Sequence, residues 1–134
     1  MYRTLDEAVN YAADWWVSKL TNPRFDNGMN DKQGRFASAL ASVLTKDPAA
    51  GQIELFKENF VHLVKKEFSD HNHVRLESDY AAEGLLHEIM EKSGFPYENA
   101  PWKTCMFITK RKIADEHKYM IEAKCGYGDR MSEI

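Results

Sequence analysis

The chain has 134 residues, of which 43% are hydrophobic and 12% aromatic, with 18 Lys and Arg against 21 Asp and Glu for a formal charge of −3. That length is enough to bury roughly two thirds of the surface an unfolded chain exposes without a disulfide staple. The charge supplies no global attraction to phosphate backbones or anionic membranes, so nonspecific nucleic-acid coating is not expected, and no run approaches the ~20 apolar residues of a membrane span.

Thr4 followed by Glu7 forms a capping box, and Leu5, Val9, Ala12, Trp16 and Leu20 recur at helical spacing, which predicts a first helix over about residues 5–20. Asn22-Pro23 ends it. The polar stretch from Arg24 to Asp31 reads as a long turn, since its Asp, Asn and Gly side chains suit turn backbones. It shares the composition of a calcium loop but lacks the alternating carboxylates and closing glutamate that such loops use. Phe36, Leu40, Val43 and Leu44 predict a second, shorter helix. Asp47-Pro48 then caps a third, whose stripe of Ile53, Phe56, Phe60, Leu63, Val64 and Phe68 faces a core, with Lys57, Glu58, Lys65, Lys66 and Glu67 on the solvated back.

Val74 to Glu77 alternates briefly, as a short strand or an extended connector does. Ser78 or Asp79 is expected to cap a fourth helix carrying Leu85, Leu86, Ile89 and Met90, which Gly94 stops by accepting a left-handed exit. From Pro101 to Gly128 the rhythm changes to alternation over Thr104 to Ile113 and Lys118 to Cys125, the mark of an antiparallel hairpin. An odd loop around Asp115 would put Cys105, Phe107 and Thr109 with Tyr119, Ile121, Ala123 and Cys125 against the helices, leaving Met106, Ile108 and Met120 outside. A lone hairpin is marginally stable and its edges are unpaired, so a further strand or another subunit should extend it, and a homo-oligomer is expected. The fold class is therefore α+β: about four helices packed against a C-terminal antiparallel hairpin or small sheet, as one domain with a helical body over 1–95 and a hairpin over 101–128.

Two sets of residues point to function. Asp70, His71, His73 and Glu77 combine imidazole and carboxylate, which suits a transition metal activating water in a hydrolase or nuclease; the alternative is a polar helix exit. His87 and Glu91 share a helical face but lack the second histidine of a zinc-protease helix, so they read as a surface pair. The other set is aromatic and basic. Trp15, at the margin of the first helix's buried stripe, and Trp102 either pack or line a recognition surface. Gly126-Tyr127-Gly128 either ends a strand or brings backbone close to a ligand, with Tyr127 stacking on a base and Lys103, Arg111 or Arg130 near phosphate. No spacing for nucleophilic catalysis, phosphate loop or dinucleotide fingerprint stands out, and no cofactor is implied. Cys105 and Cys125 are too few for a zinc site by themselves and are expected as free thiols.

The strings Ala12-Ala13-Asp14-Trp15-Trp16, Phe25-Asp26-Asn27-Gly28, Pro101-Trp102-Lys103-Thr104 and Gly126-Tyr127-Gly128 together resemble a group of short accessory proteins of bacteriophages and related mobile elements. The resemblance implies a counter-defence protein acting by binding, through one of two routes. A messenger sponge would gather Trp102, Tyr127 and a cation such as Lys103 or Arg130 around one pocket. A blocker of a host defence protein would display an apolar patch, with Met106, Ile108, Met120 and Trp15 as its residues. A structural or regulatory phage component is the remaining reading. The resemblance carries no functional residue across. The amino end, with Asp6 and Glu7 close behind Arg3, lacks the layout of a secretory signal, and the chain is expected in the cytoplasm.

Overall fold

A computed structural model of the chain describes residues 1–21, 50–96 and 99–134. Three helices and five strands lie among them, in the order α1 (Leu5–Thr21), α2 (Ala50–Asp70), β1 (His73–Ser78), β2 (Ala82–Glu83), α3 (Gly84–Lys92), β3 (Thr104–Ile113), β4 (Glu116–Lys124) and β5 (Ser132–Glu133). The helix expected around Phe36 to Leu44, the turn from Arg24 to Asp31 and the Asp47-Pro48 cap lie outside the described residues.

Helix α1 starts on the predicted capping box: the Glu7 amide donates to the Thr4 hydroxyl at 3.2 Å and the Thr4 amide donates back to the Glu7 carboxylate at 3.4 Å. Its buried stripe of Ala8, Val9, Ala12, Ala13, Trp16 and Leu20 packs on Phe56, Phe60, Leu63 and Val64 of α2. The cross-helix ion pairs run in opposite order, Asp6 with Lys65 and Asp14 with Lys57, so the two helices are antiparallel. Helix α3 ends as the sequence predicts. Gly94 turns left-handed at φ 71°, and the Phe95 amide returns to the Met90 carbonyl at 2.9 Å. Its start differs from expectation. Neither Ser78 nor Asp79 caps it: Ser78 closes β1 and donates its hydroxyl to the Pro101 carbonyl, while Glu83 holds the N-cap position without a side-chain cap bond.

The strands form one antiparallel sheet in the order β2-β1-β3-β4-β5. The extended segment at Val74 is thus a full strand, bonded to β3 over six residue pairs from His73↔Thr109 to Ser78↔Thr104. The β3–β4 hairpin is present, but its loop is even, not odd. Ala114 and Asp115, at φ 51° and 64°, make a two-residue turn between the paired Ile113 and Glu116. Because strand side chains alternate, that one-residue difference flips β3 relative to expectation. Met106 and Ile108 pair with Ala123 and Ile121, and all four are buried in the core with Val74, Leu76 and Tyr119. Cys105, Phe107 and Thr109 take the outer face with the half-buried Met120.

The unpaired edges that led to self-association are covered within the chain. β1 lies along β3, while on the far side β5 pairs with Glu122 and Ala123 and Arg3 bridges to Tyr119 by two backbone hydrogen bonds, of 2.8 and 2.9 Å. The expectation of a homo-oligomer thereby loses its premise.

Candidate functional site

Three connections meet at one end of the sheet: the β1–β2 turn carrying Asp79 and Tyr80, the approach to β3 carrying Trp102 and Lys103, and the exit of β4 carrying Tyr127. Hairpin geometry places the start of β3 beside the end of β4, since Cys105 pairs with Lys124, and the β1–β3 pairing brings the third connection alongside. Lys103 is the hub. Its amide donates to the Asp79 carbonyl at 2.6 Å, and its carbonyl accepts from the Gly126 amide at 3.1 Å, so its backbone ties the three connections together. It holds φ 54°, the left-handed region that residues with a Cβ adopt only when the surroundings enforce it.

The Lys103 side chain reaches the Asp79 carboxylate and lies 4.9 Å from the Tyr80 ring centroid and 5.9 Å from that of Tyr127. Ammonium over an aromatic face is attracted by the ring quadrupole. Tyr127 donates its hydroxyl to that of Tyr80 at 2.8 Å, and Trp102 sets its ring edge-on to Tyr80 with centroids 5.5 Å apart. The hydrogen bond to Asp79 raises the Lys103 pKa, and the bond to Tyr80 raises that of Tyr127, so both carry their protons throughout the physiological range. Tyr80 stays 56% exposed, which leaves aromatic surface open to a ligand.

Trp102, Lys103 and Tyr127 therefore lie together around Tyr80. Arg130 is exposed and, among the described residues, no hydrogen bond or ion pair joins it to this cluster, and Arg111 lies exposed towards the opposite end of β3. Tyr80 escaped the sequence reading, and Asp79 entered it as a possible cap of the fourth helix and not as part of this cluster. Their only local signal was a polar turn after a short alternating run; what places them is the β1–β3 pairing.

The outer face of the sheet continues from this cluster into a groove of about 280 Å³ that Arg75, Glu77, Asp79, Glu83, Lys103, Cys105 and Lys124 help to line. Arg75 binds Glu77 at 2.5 Å and lies 5.8 Å from the Phe107 ring. Partial burial, then the Glu77 charge, push the Cys105 thiol pKa up, so it is protonated at neutral pH and a weak nucleophile. Cys125 lies on the other face, where its sulfur accepts from the Thr104 hydroxyl at 3.6 Å. The two thiols, expected to share a face, are separated by the sheet.

The metal set does not assemble. Asp70 ends α2, His71 faces Glu67 at 3.7 Å, and Glu77 is held by Arg75. His73 and Glu77 sit four residues apart on one strand, roughly 13 Å at the usual rise. Among the described residues no group of three or more His, Cys, Asp or Glu side chains is placed to hold an ion. His87 and Glu91 form the expected surface pair at 3.6 Å.

The apolar patch fares similarly. Met106 and Ile108 are fully buried, and Trp15 is half-buried, its ring edge-on to Trp16 at 5.0 Å with Lys19 over it at 5.1 Å. Of the residues proposed for that patch, Met120 alone belongs to the open face of the sheet. No helix among the described residues is long and apolar enough to cross a membrane.

The chain matches no protein-family model, no curated protein and no solved structure.

Proposed function

We propose that this protein acts by binding, not turnover, and that its ligand is a nucleotide held at the Tyr80, Trp102, Lys103 and Tyr127 cluster. The observation that carries this reading is the Lys103 ammonium set against two tyrosine rings at the meeting of three loops. Flat rings supply stacking surface for a base, which is insensitive to its sequence identity, and an adjacent ammonium supplies charge for phosphate. The resemblance to mobile-element accessory proteins sets this chemistry in a biological role: sequestering the nucleotide messenger of a bacterial defence system in the host cytoplasm. Burial of Met106 and Ile108 favours this route over a blocker of a defence protein, whose apolar patch would lack its centre.

Titration calorimetry against nucleoside monophosphates and cyclic oligonucleotides tests the proposal. Micromolar or tighter binding by at least one of them, weakened about tenfold or more in Trp102→Ala and in Tyr127→Ala, is the expected result. Saturable binding unaffected by either substitution would place the ligand elsewhere, and no binding at all would overturn the nucleotide reading.

A further inference from the structure

The groove beside the aromatic cluster shares Lys103 and Asp79 with it, and its floor is a single row fixed by strand register. Glu83 of β2 stands opposite Glu77 of β1, Glu77 opposite Cys105 of β3, and Cys105 opposite Lys124 of β4. At the usual spacing of strands the row spans roughly 14 Å between the outermost Cα atoms. Its inner charges are matched, Glu77 by Arg75 and Asp79 by Lys103. Its ends are not: among the described residues neither Glu83 nor Lys124 has an ion-pair partner.

Two carboxylates directly opposite each other across an antiparallel pair repel; Arg75 offsets this at Glu77, whereas the exposed Glu83 carboxylate is left to accept from a ligand. Glu83 adds to the anomaly, since it occupies the N-cap of α3 without spending its carboxylate on the helix. The row is thus a dipolar cradle with a free ammonium at one end and hydrogen-bond-accepting carboxylates at the other. A ribose phosphate has the matching polarity: an anion, and hydroxyls a few atoms away that donate to carboxylates.

We infer that the groove is the sugar–phosphate half of the nucleotide site. Lys124 and Lys103 hold phosphate, Glu83 accepts from the ribose 2′-hydroxyl and Glu77 from the 3′-hydroxyl that both sugars share, and the site selects ribonucleotides over deoxyribonucleotides. The inference rests on the nucleotide reading above and adds the sugar to it.

Calorimetry on the whole chain with adenosine, guanosine, cytidine and uridine monophosphates, each in ribose and deoxyribose form, separates the two. The expected result is a preference for ribose of about tenfold or more, the size of a lost hydrogen bond to a charged group. Glu83→Ala should reduce that preference to within about twofold while leaving deoxyribonucleotide affinity unchanged. Lys124→Met should weaken both forms alike. Unfolding midpoints, measured in parallel, should match the parent for Lys124→Met and match or slightly exceed it for Glu83→Ala, which removes the repulsion with Glu77. Equal affinity for the two sugars, or a preference that survives Glu83→Ala, overturns the groove assignment and leaves the aromatic site standing. Failure of every probe to bind, cyclic oligonucleotides included, overturns both.

Discussion

Lys103 is bound to Asp79 twice, through its amide to the Asp79 carbonyl at 2.6 Å and through its ammonium to the Asp79 carboxylate. The first contact holds the backbone at a positive φ that any side chain beyond glycine resists; the second fixes where the charge ends up. Strain and charge thus sit on one residue. The strained backbone places the ammonium between Tyr80 and Tyr127, a position on which the proposed nucleotide site depends.

Lys103→Gly separates these two roles. The folded state should hold or raise its midpoint in denaturant, because glycine accepts the left-handed conformation freely and an exposed ion pair contributes little. Nucleotide affinity should fall by about tenfold or more, as expected for loss of a charge-assisted contact. Lys103→Ala keeps the strain and removes the charge, so it should lose affinity as Lys103→Gly does, while its stability stays within about 1 kcal/mol of the parent and below that of the glycine variant.

Tyr127 offers a ring and a hydroxyl, and the two can be tested apart. Tyr127→Phe deletes the hydrogen bond to Tyr80 but retains the stacking face, so affinity should stay within about threefold of the parent. Tyr127→Ala removes the face and should cost about tenfold to a hundredfold, the range for one lost base–aromatic stack. Comparable losses in the two variants would mean that the hydroxyl, and not the ring, makes the contact.

The parts of this fold that were legible in the sequence are those whose signals are local. The Thr4–Glu7 capping box, the apolar stripe of α2, the Gly94 exit and the alternation of β3 and β4 each depend on residues within a few positions of one another. β2 and β5, two residues each, are too short to alternate visibly, and they form because β1 and β4 offer edges to pair with. The site was half legible for the same reason. Trp102, Lys103 and Tyr127 flank one hairpin, whose geometry alone brings its ends together, whereas Asp79 and Tyr80 join them only through the pairing of β1 with β3 across more than twenty residues.

Cys105 provides a chemical reading of the groove from within. Its thiol pKa is raised, first by burial and then by the Glu77 carboxylate, so the thiolate is scarce at neutral pH. In a Cys125→Ser background, the rate of alkylation by iodoacetamide should keep rising with pH beyond the range where an ordinary thiol levels off. Glu77→Gln removes a raising charge and frees the Arg75 guanidinium to act on the thiol, so the profile should move towards lower pH and the neutral rate should increase. The linked effect on folding has the same sign. An acid whose pKa is higher in the folded state ionises first when unfolded, so its contribution to stability declines as pH rises through the ordinary thiol value.

Ile108 tests the face assignment on which the choice between nucleotide and protein partners turns. It is fully buried and packs between Val74 and Ile121 on the neighbouring strands. Ile108→Ala should destabilise the fold by about 2–5 kcal/mol, as cavity-forming core truncations do, and Ile108→Asp should abolish cooperative unfolding. Met120→Ser, on the open face, should cost far less. The opposite ranking, read from urea denaturation, would restore Ile108 to the exterior and with it the apolar docking patch.

The turn that decides this parity is itself poorly encoded. Two-residue hairpin turns with positive φ at both central positions favour Asn-Gly, because Asn tolerates and Gly freely adopts the left-handed region, yet here Ala114 and Asp115 hold φ 51° and 64°. Alanine in that region costs roughly 1–2 kcal/mol from the clash of its Cβ with the following carbonyl oxygen. What enforces the turn is its strands: nine consecutive residue pairs between β3 and β4, with Ile108 opposite Ile121 and Met106 opposite Ala123 facing the helices. A one-residue slip would expose those side chains, which outweighs the strain of two residues at the tip. Replacing Ala114-Asp115 by Asn-Gly should therefore stabilise the protein by about 1 kcal/mol without altering the register, measured as a higher urea midpoint at constant slope. A loop with an odd number of residues, as expected from the alternation, would gain nothing from Asn-Gly. Inserting one glycine after Asp115 makes the complementary test. If strand packing enforces the register, the extra residue should be absorbed at the tip with only modest destabilisation, and Ile108 should stay protected from hydrogen exchange as in the parent.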